Sequence, residues 1–532
     1  MTPTPSFQSY KRFRPDGAYD AIVVGSGIGG LGTAALLAKQ AGRRVLVLER
    51  HYTAGGYTHA FRRPGYEWDV GVHYIGSVEP GTTVRALFDY VTDGALGWAD
   101  MGEVYDRIVI GQDIYDYPRG LANLKARLKA YFPGDEAAID GYFTAVRAAV
   151  AGSQLFFADR AMPALVSAVA GPLLRRRFLK YADRTTRQVL EGLTRNQRLI
   201  AVLTGQYGDY GLPPAESSFA MHAFVTGHYF GGGYYPVGGA GRIAATIAPV
   251  IQAAGGAVVV DAEVAEIVVE GRRAVGVRMA ADGTVLRAPV VVSDAGVGNT
   301  FGRLVPRDVA EGRGLLANLA QVRPSHGHLC LYVGLQHTAA ELGLPRANYW
   351  VYPHEQHERA VAEYLANPDA PLPLAYISFP SAKDPDFERR HPGRATIEVV
   401  TLAPWAWFER WAGTRWMRRG DDYEALKAQL TGRLLDALCA RVPQVRGRID
   451  HAELSTPLST AHFAGYARGE LYGLDHTPSR FRQSWLRPRT PLAGLYLTGQ
   501  DISTCGVAGA LFGGVLTASA ITGRNVLRAV NP

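Results

Sequence analysis

Tyr19-Asp20-Ala21-Ile22-Val23-Val24-Gly25-Ser26-Gly27-Ile28-Gly29-Gly30 is the stretch that decides the fold of this 532-residue chain. Its apolar half is rich in β-branched residues and predicts a buried parallel strand, which the glycines follow directly. Small apolar residues then repeat at helical spacing over 31–41, and a second apolar strand, 44–48, ends in Glu49. A strand, a glycine-rich turn, a helix, a strand and an acid in this order predict a Rossmann-type dinucleotide site.

The glycines have separate physical roles in this prediction. Gly25 allows a tight turn off the strand, a side chain at Gly27 would block a pyrophosphate, and Gly30 lets the helix pack closely. The helix N-terminus presents free N–H groups and a partial positive charge to the phosphates. Glu49, roughly twenty residues further on, can accept hydrogen bonds from both ribose hydroxyls. The alternative is an ordinary tight turn with surplus glycines, which does not account for the acid at this spacing.

A second glycine pair follows the acid, in the run Glu49-Arg50-His51-Tyr52-Thr53-Ala54-Gly55-Gly56-Tyr57-Thr58. This run resembles the extended motif of FAD proteins of the amine oxidase and phytoene desaturase superfamily. That superfamily often has arginines at the positions of Thr53 and Tyr57, and both are absent here. The continuation from Arg63 to Gly76 resembles the retinol saturase and carotenoid isomerase branch.

The last stretch resembles the C-terminal FAD motif of the same superfamily. Gly494 to Asp501 reads as a strand that runs into an acid, and Gly506 to Gly514 opens an alanine-rich helix. The resemblance implies that Asp501 binds a ribityl hydroxyl and that the amides near Val507 and Ala508 face the flavin. A helix N-terminus there would stabilise the negative charge of reduced flavin.

The implied FAD contacts therefore come from both ends of the chain. By resemblance, the backbone of Val264 adds a contact on the adenine side. The full set is Gly25, Ser26, Gly27, Ile28, Gly29, Gly30, Glu49, Arg50, Gly55, Gly56, Tyr57, Thr58, Val264, Gly499, Asp501, Val507 and Ala508.

The predicted fold class is α/β: a discontinuous Rossmann-type FAD-binding domain with an α+β substrate domain that contains a helical insertion. We assign 18–80, 236–300 and 490–532 to the FAD-binding domain. The substrate domain comprises 81–235 and 301–489. Residues 1–16 read as a loose tail.

Composition limits the class of protein, its cellular location and its partners. Apolar residues make up 47% of the chain and charged residues 20%, as in a globular protein. Three separated cysteines, Cys330, Cys439 and Cys505, form neither a disulfide framework nor a metal site, so a cytoplasmic location is expected. The net charge of +8 favours anionic surfaces or reflects solvated arginine-rich faces. Without a recognisable nucleic-acid module, we expect no nucleic-acid partner.

The segment near 155–180 is the candidate for membrane contact. It is apolar, is interrupted by prolines and runs into Arg175-Arg176-Arg177. Such a segment suits shallow burial in an anionic interface, which would make the protein peripheral at the inner membrane face. The alternative is a core helix with a solvated arginine-rich end.

The resemblance implies an apolar polyene or other unsaturated lipid as substrate. Flavin supplies the redox chemistry, and saturation also needs a proton donor opposite the hydride. His73 and Tyr74 are the candidates, although a structural hydrogen bond is the alternative for His73. The preferred interpretation is an FAD-dependent saturase or isomerase acting on a retinoid, a carotenoid or a similar lipid. A carotenoid desaturase, an amine oxidase and a redox-silent lipid-binding protein, as in Rab escort proteins, are the alternatives.

Overall fold

A parallel sheet assembled from distant parts of the chain forms the nucleotide unit. The computed structural model describes residues 7–530; residues 1–6 of the predicted tail and residues 531–532 of the predicted FAD-binding domain lie outside it. All neighbouring strands of this six-stranded nucleotide sheet run parallel. In sheet order they are Gln8–Ser9, Ala257–Val260, Val45–Leu48, Ala21–Val24, Val291–Ser293 and Leu495–Leu497.

The central strands Ala21–Val24 and Val45–Leu48 are buried along their whole length, which confirms the predicted buried parallel strands. Three helices cover one face of the sheet: Ile28–Ala41, Gly241–Ala253 and Gly506–Thr522. The first and last of these helices pack together through glycines. A Cβ at Gly514 would lie 2.9 Å from the Gly29 carbonyl oxygen, so a larger residue would separate them.

The prediction of a loose tail over residues 1–16 is wrong for residues 7–16, the part that the structure describes. Gln8–Ser9 forms an edge strand paired with Val259 and Val260. Phe13 is buried in the core on the opposite face of the sheet. A two-residue strand is too short to leave a periodic pattern in the sequence, so the burial of one aromatic side chain decides its place.

A seven-stranded mixed sheet, the substrate sheet, forms the second unit. Its strands in order are Ile449–Ser455, Gly327–Gln336, Arg394–Ala403, Ala375–Ser378, Asn348–Tyr352, Val104–Ile110 and Asp113–Pro118. The hairpin Ala60–Arg63 and Tyr66–Asp69 packs on it, and the indole of Trp68 donates a 3.0 Å hydrogen bond to the Val333 carbonyl. The remaining strands are Val264–Glu270, Arg273–Met279 and Val285–Arg287 in a separate antiparallel sheet, and Trp98–Asp100 paired with Tyr234–Pro236.

Helices occupy most of the chain between Leu121 and His228. They are Leu121–Tyr131, Glu136–Ala161, Ala164–Ala182, Thr186–Glu191, Gln197–Leu203 and Phe219–His228. The two longest pack against each other as a helical hairpin, 136–182, that joins at Met162 and Pro163. Outside this insertion the longer helices are Thr83–Val91, His357–Ala366, Asp421–Arg441 and Pro457–Ala464. The predicted α/β class, with a Rossmann-type unit and an α+β unit carrying a helical insertion, is confirmed.

Candidate functional site

A long cleft of about 740 Å³ runs along the carboxyl ends of the nucleotide-sheet strands. In open α/β sheets this edge is where ligands bind. Most of the predicted FAD contacts line the cleft: Gly25, Gly27, Ile28, Gly29, Glu49, Arg50, Gly55, Gly56, Tyr57, Thr58, Val264, Asp501 and Val507. The other predicted contacts lie behind the wall or in a neighbouring cavity: Ser26, Gly30, Gly499 and Ala508.

The two glycine pairs form one cradle. Gly55 and Gly56 both have positive φ angles, 127° and 54°, which favour glycine. A Cβ at Gly56 would lie 3.0 Å from the Gly27 Cα atom, so the second pair packs directly over the first loop. The cradle therefore exposes backbone N–H groups at the start of the helix Ile28–Ala41, where a pyrophosphate binds.

Glu49 holds this cradle in place. Its Oε2 atom accepts hydrogen bonds from the Ser26 amide at 2.9 Å and the Ser26 hydroxyl at 2.7 Å. Its Oε1 atom accepts one from the His51 amide at 2.8 Å, and the Ser26 hydroxyl oxygen accepts from the Gly55 amide at 3.0 Å. A carboxylate has about four lone-pair positions, so Glu49 orders the loop and keeps capacity for one further donor, such as a ribose hydroxyl.

The last segment of the chain closes the other end of the cleft. Asp501 is buried and accepts hydrogen bonds from the amides of Val297 at 2.8 Å and Leu474 at 3.1 Å. Burial raises its pKa, whereas these amides and the nearby Arg480 oppose the rise. Gly506 then begins the helix Gly506–Thr522 without a side-chain cap on its first amides. Its N-terminus is open to a ligand in the cleft.

Asp294 is a cleft residue that the sequence reasoning did not identify. It follows the strand Val291–Ser293, and its carboxyl group lies so close to Gly27, Gly30 and Gly499 that a side chain at any of them would press on it. Burial raises the pKa of Asp294 to about 8, helped by the charges of Glu49 and Asp501. Near neutral pH it is therefore an uncharged acid that does not repel phosphate.

These residues fit a dinucleotide. The glycines leave a cradle that any Cβ would fill, two helix N-termini face one cleft, and an acid sits at the ribose position. Tyr57 donates a 2.6 Å hydrogen bond to the Glu470 carbonyl and stacks on Tyr466, whose ring centroid is 6.0 Å away. Tyr57 thus forms part of the aromatic wall of the cleft.

A second cavity, the chamber, opens from the cleft and has a volume of about 1140 Å³. Its walls are mainly apolar and include Phe157, Phe224, Trp350, Tyr376, Leu402 and Phe512. The two cavities share the wall residues Val70, Gly71, His328, Leu471, Tyr472, Gly506 and Val507, which we call the junction. A chamber of this size, reached through the cofactor cleft, is a site for a large apolar ligand.

The two predicted catalytic residues both line the chamber. The Nδ1 atom of His73 lies 2.8 Å from the buried carboxyl group of Glu398. Burial lowers the pKa of His73 to about 3, so the ring is neutral, and burial raises the pKa of Glu398 to about 8, so one hydrogen is shared between Nδ1 and this carboxyl group. This geometry favours the structural hydrogen bond, which is the alternative given for His73 from the sequence.

Tyr74 instead directs its hydroxyl toward two acids. Its OH group lies 2.8 Å from Asp106 Oδ2 and 3.2 Å from Asp209 Oδ2. Neither acid was identified from sequence, because Asp106 and Asp209 lie 32 and 135 residues from Tyr74 and carry no local motif. His328 was also missed; it is buried at the junction, and within residues 7–530 no partner reaches its Nδ1 atom.

Comparisons with known proteins agree with this architecture. A model of the NAD(P)-binding Rossmann-like domain family matches residues 23–91. An all-trans-retinol 13,14-reductase of Danio rerio is 38% identical, over 95% of this chain and 86% of the relative. A chloroplastic prolycopene isomerase of Arabidopsis thaliana is 24% identical, over 96% of this chain and 84% of the relative. The crystal structure of an oxidoreductase from Methanosarcina mazei shares the fold, with a TM-score of 0.62, 16% identity and coverage of 95% and 100%.

The pKa of Asp294 makes dinucleotide retention pH-dependent. As the pH rises above about 8, Asp294 ionises beside the phosphate cradle and repels the bound phosphates. We expect affinity to fall by up to about tenfold per pH unit, the slope of a single-proton linkage. Dinucleotide released on gel filtration at a series of pH values measures this.

Asp294→Asn should remove the dependence, because an amide does not ionise in this range. Asp308→Asn, at an exposed site outside the cleft lining, should retain it. Equal pH profiles for Asp294→Asn and the unaltered protein would show that Asp294 has no such effect.

Proposed function

This chain belongs to the all-trans-retinol 13,14-reductase family, and on that premise we propose that it is an FAD-dependent oxidoreductase that saturates a carbon–carbon double bond of an apolar polyene such as a retinoid. The observation that carries the proposal is the junction. A cofactor cleft and an apolar chamber share the wall formed by Tyr472, His328 and the start of the helix Gly506–Thr522. A flavin ring at the junction would face a ligand in the chamber.

FAD would be held by both ends of the chain. The cradle of Gly27 and Gly56 would receive the pyrophosphate, and Glu49 would receive the adenosine ribose. The open amides at Val507 and Ala508 would bind the pyrimidine edge of the flavin, where a helix N-terminus stabilises the negative charge of the reduced ring. Bound FAD, when reduced, supplies the hydride for the reaction.

The residues of the chain position the substrate and exclude water from it. The apolar walls of the chamber favour a hydrocarbon chain over water by about 25 cal/mol per Å² of apolar surface buried. Trp350 and Tyr376, whose ring centroids are 4.3 Å apart, form one aromatic wall against which a conjugated chain can stack. A polyene bound there is shielded from solvent near the junction.

Anaerobic incubation of the photoreduced protein with all-trans-retinol tests the proposal. We expect the purified protein to contain FAD and the product to gain two hydrogens by mass, with stoichiometric oxidation of the flavin. Gly56→Val, which fills the cradle, should lack flavin and turn over nothing.

Other products would contradict saturation and identify the alternatives. An unchanged mass with a shifted retention time indicates an isomerase, the activity named for the Arabidopsis relative. A loss of two hydrogens indicates a desaturase. A protein purified without flavin that still binds retinoid indicates a lipid carrier.

We also propose that the helical hairpin rests on a lipid membrane to take up this substrate. Leu165, Val169 and Leu173 follow one another at four-residue spacing on the helix Ala164–Ala182 and are 84%, 86% and 75% exposed. Arg176 and Arg177 continue the same face one turn later and are exposed. An apolar stripe that ends in cations suits an anionic bilayer interface.

The chamber supports this orientation. Met162 and Pro163, at the turn of the hairpin, line the chamber and directly precede the exposed stripe. One predicted cation is turned inward: the Arg175 Nε atom donates a 3.0 Å hydrogen bond to the Gly171 carbonyl and lies 3.5 Å from the buried Asp159. In the part of the chain that the structure describes, no helix has the length and apolar character of a membrane span.

Flotation with anionic phospholipid vesicles tests the membrane proposal. Leu165→Gln, Val169→Gln and Leu173→Gln in one variant should lower binding at least about tenfold, since each side chain contributes on the order of 1 kcal/mol. The matched control is Ile114→Gln, because Ile114 is 54% exposed but lies outside the hairpin. Equal flotation of the triple variant and the control, or self-association that the triple variant abolishes, would contradict a membrane partner.

A further inference from the structure

A buried chain of hydrogen bonds connects two acids, and one of them lies on the chamber wall. Asp106 is fully buried on the strand Val104–Ile110, and its Oδ1 atom accepts a hydrogen bond from the side-chain amide of Asn348 at 2.8 Å. Its Oδ2 atom accepts from Gln206 at 2.7 Å and from the Trp350 indole at 3.1 Å. Three donors besides Tyr74 point at one carboxyl group, so Asp106 is built to carry a negative charge.

Asp209 has the opposite environment. It lies in the short 3₁₀ helix Tyr207–Asp209, half-buried in the chamber wall. Among residues 7–530, the one hydrogen bond to its carboxyl group is from Tyr74, at 3.2 Å to Oδ2. With one weak donor and a charged acid nearby, Asp209 is stabilised as the neutral acid.

Tyr74 links the two acids and has one proton to donate. The shorter distance, 2.8 Å to Asp106 against 3.2 Å to Asp209, places that proton on the side of Asp106. The Tyr74 ring is fixed by stacking on Tyr229, with centroids 4.3 Å apart and an angle of 8° between the planes. If Asp209 lost its proton, the same hydroxyl could donate to it instead.

The backbone at Gly208 and Asp209 contacts residues at and beside the junction. The Tyr472 hydroxyl donates a 2.7 Å hydrogen bond to the carbonyl of Gly208, and Tyr472 is a junction residue. The Sγ atom of Cys505 lies 3.5 Å from the carbonyl oxygen of Asp209, and Cys505 directly precedes the helix Gly506–Thr522. The backbone that carries Asp209 is therefore attached to both elements that frame the junction.

We propose that Asp209 is the catalytic acid that protonates the substrate carbon, that the charge of Asp106 keeps it in the acid form, and that Tyr74 is a positioning residue that links the two carboxyl groups. This inference rests on the proposed saturation reaction. In the step, the π bond of the polyene would break as one of its carbons takes a hydride, which reduced FAD would supply as a two-electron reductant. The Asp209 O–H bond breaks and its proton forms the second C–H bond. Asp209 becomes a carboxylate that regains its proton from solvent, and FAD would be left oxidised by two electrons.

The titration of the groups around Asp209 agrees with this role. Burial raises the pKa of Asp209 well above its ordinary value, and the charge of Asp106 raises it further. The titratable neighbours of Asp209 are Asp106, Tyr74, Tyr105, Tyr210, Tyr229, Tyr352, Tyr376, Tyr472 and Cys505. Burial raises the pKa of each tyrosine and raises that of Cys505 to about 12, so these stay neutral.

Two groups in the hydrogen-bond chain that leads from Tyr74 away from Asp209 have pKa values closer to neutrality. Burial raises the pKa of Asp106 to about 6 and lowers that of Lys383 to about 7. Lys383 donates to the Asn348 side chain, whose amide donates to Asp106. Asp209, whose pKa is raised well above its ordinary value, sets the alkaline side of a rate profile. The rate should fall as the pH rises through the raised pKa of Asp209.

Anaerobic single-turnover kinetics test the inference. The photoreduced enzyme is mixed with all-trans-retinol, and oxidation of the flavin is followed by its absorbance. Asp209→Asn keeps the shape of the side chain but lacks the acidic proton, so we expect the rate to fall about 10²–10⁴-fold. Its flavin content and circular dichroism should be unchanged. The matched control is Asp308→Asn, at an exposed position on the helix Arg307–Gly312, and it should react at the normal rate.

A second variant tests the linkage through Tyr74. Its hydroxyl lowers the pKa of Asp209 by donating to the carboxylate, so Tyr74→Phe should shift the alkaline limb of the rate profile to higher pH. If Tyr74 had a purely structural role, Tyr74→Phe would lower the rate without shifting the alkaline limb of the rate profile. Infrared difference spectra should also contain the carbonyl stretch of a protonated carboxylic acid that is absent from Asp209→Asn.

The outcomes separate the inference from the proposed function. If the unaltered enzyme does not saturate the polyene, the proposed function fails. If it does and Asp209→Asn reacts as fast as Asp308→Asn, with no missing infrared band, Asp209 is not the acid and the inference is overturned.

Discussion

The close approach of Gly29 to Gly499 is the constraint on which the rest of the structure depends. A Cβ at Gly29 would collide with the Gly499 backbone, so the first and last segments of the chain can meet here only because residue 29 is a glycine. Gly513 and Gly514 extend the same contact along the helix Gly506–Thr522. This contact brings two helix N-termini to one cleft, and a dinucleotide can be bound at both ends only when they meet there.

The contact also determines where the chamber lies. Gly506 follows the last strand of the nucleotide sheet and forms part of the wall that the cleft and the chamber share, and the preceding Cys505 lines the chamber. The hairpin Ala60–Asp69 carries the chain from the cradle across the substrate sheet, and His73 and Tyr74 follow it into the chamber wall. The cofactor and the apolar ligand are therefore positioned by the same few segments, so moving one would displace the other.

The sequence predicted well those features that depend on local backbone geometry. The strand, glycine turn and helix of 21–41 have a fixed order and spacing, and the structure has all three elements in the predicted order. The edge strand Gln8–Ser9 was missed because two residues carry no period. The acid pair was missed because Tyr74, Asp106 and Asp209 meet only through tertiary packing. The outward face of Leu165 also depends on which side of its helix packs on the hairpin, which composition alone does not determine.

The most direct measurement is a titration of the oxidised, flavin-containing protein with a retinoid, followed simultaneously in the visible flavin bands and in protein fluorescence. Trp350 lines the chamber, so its quenching reports that the ligand has entered. If the flavin ring sits at the junction, the flavin bands should shift with the same saturation curve as the fluorescence. Quenching that saturates while the flavin spectrum stays unchanged would show that the two sites do not meet.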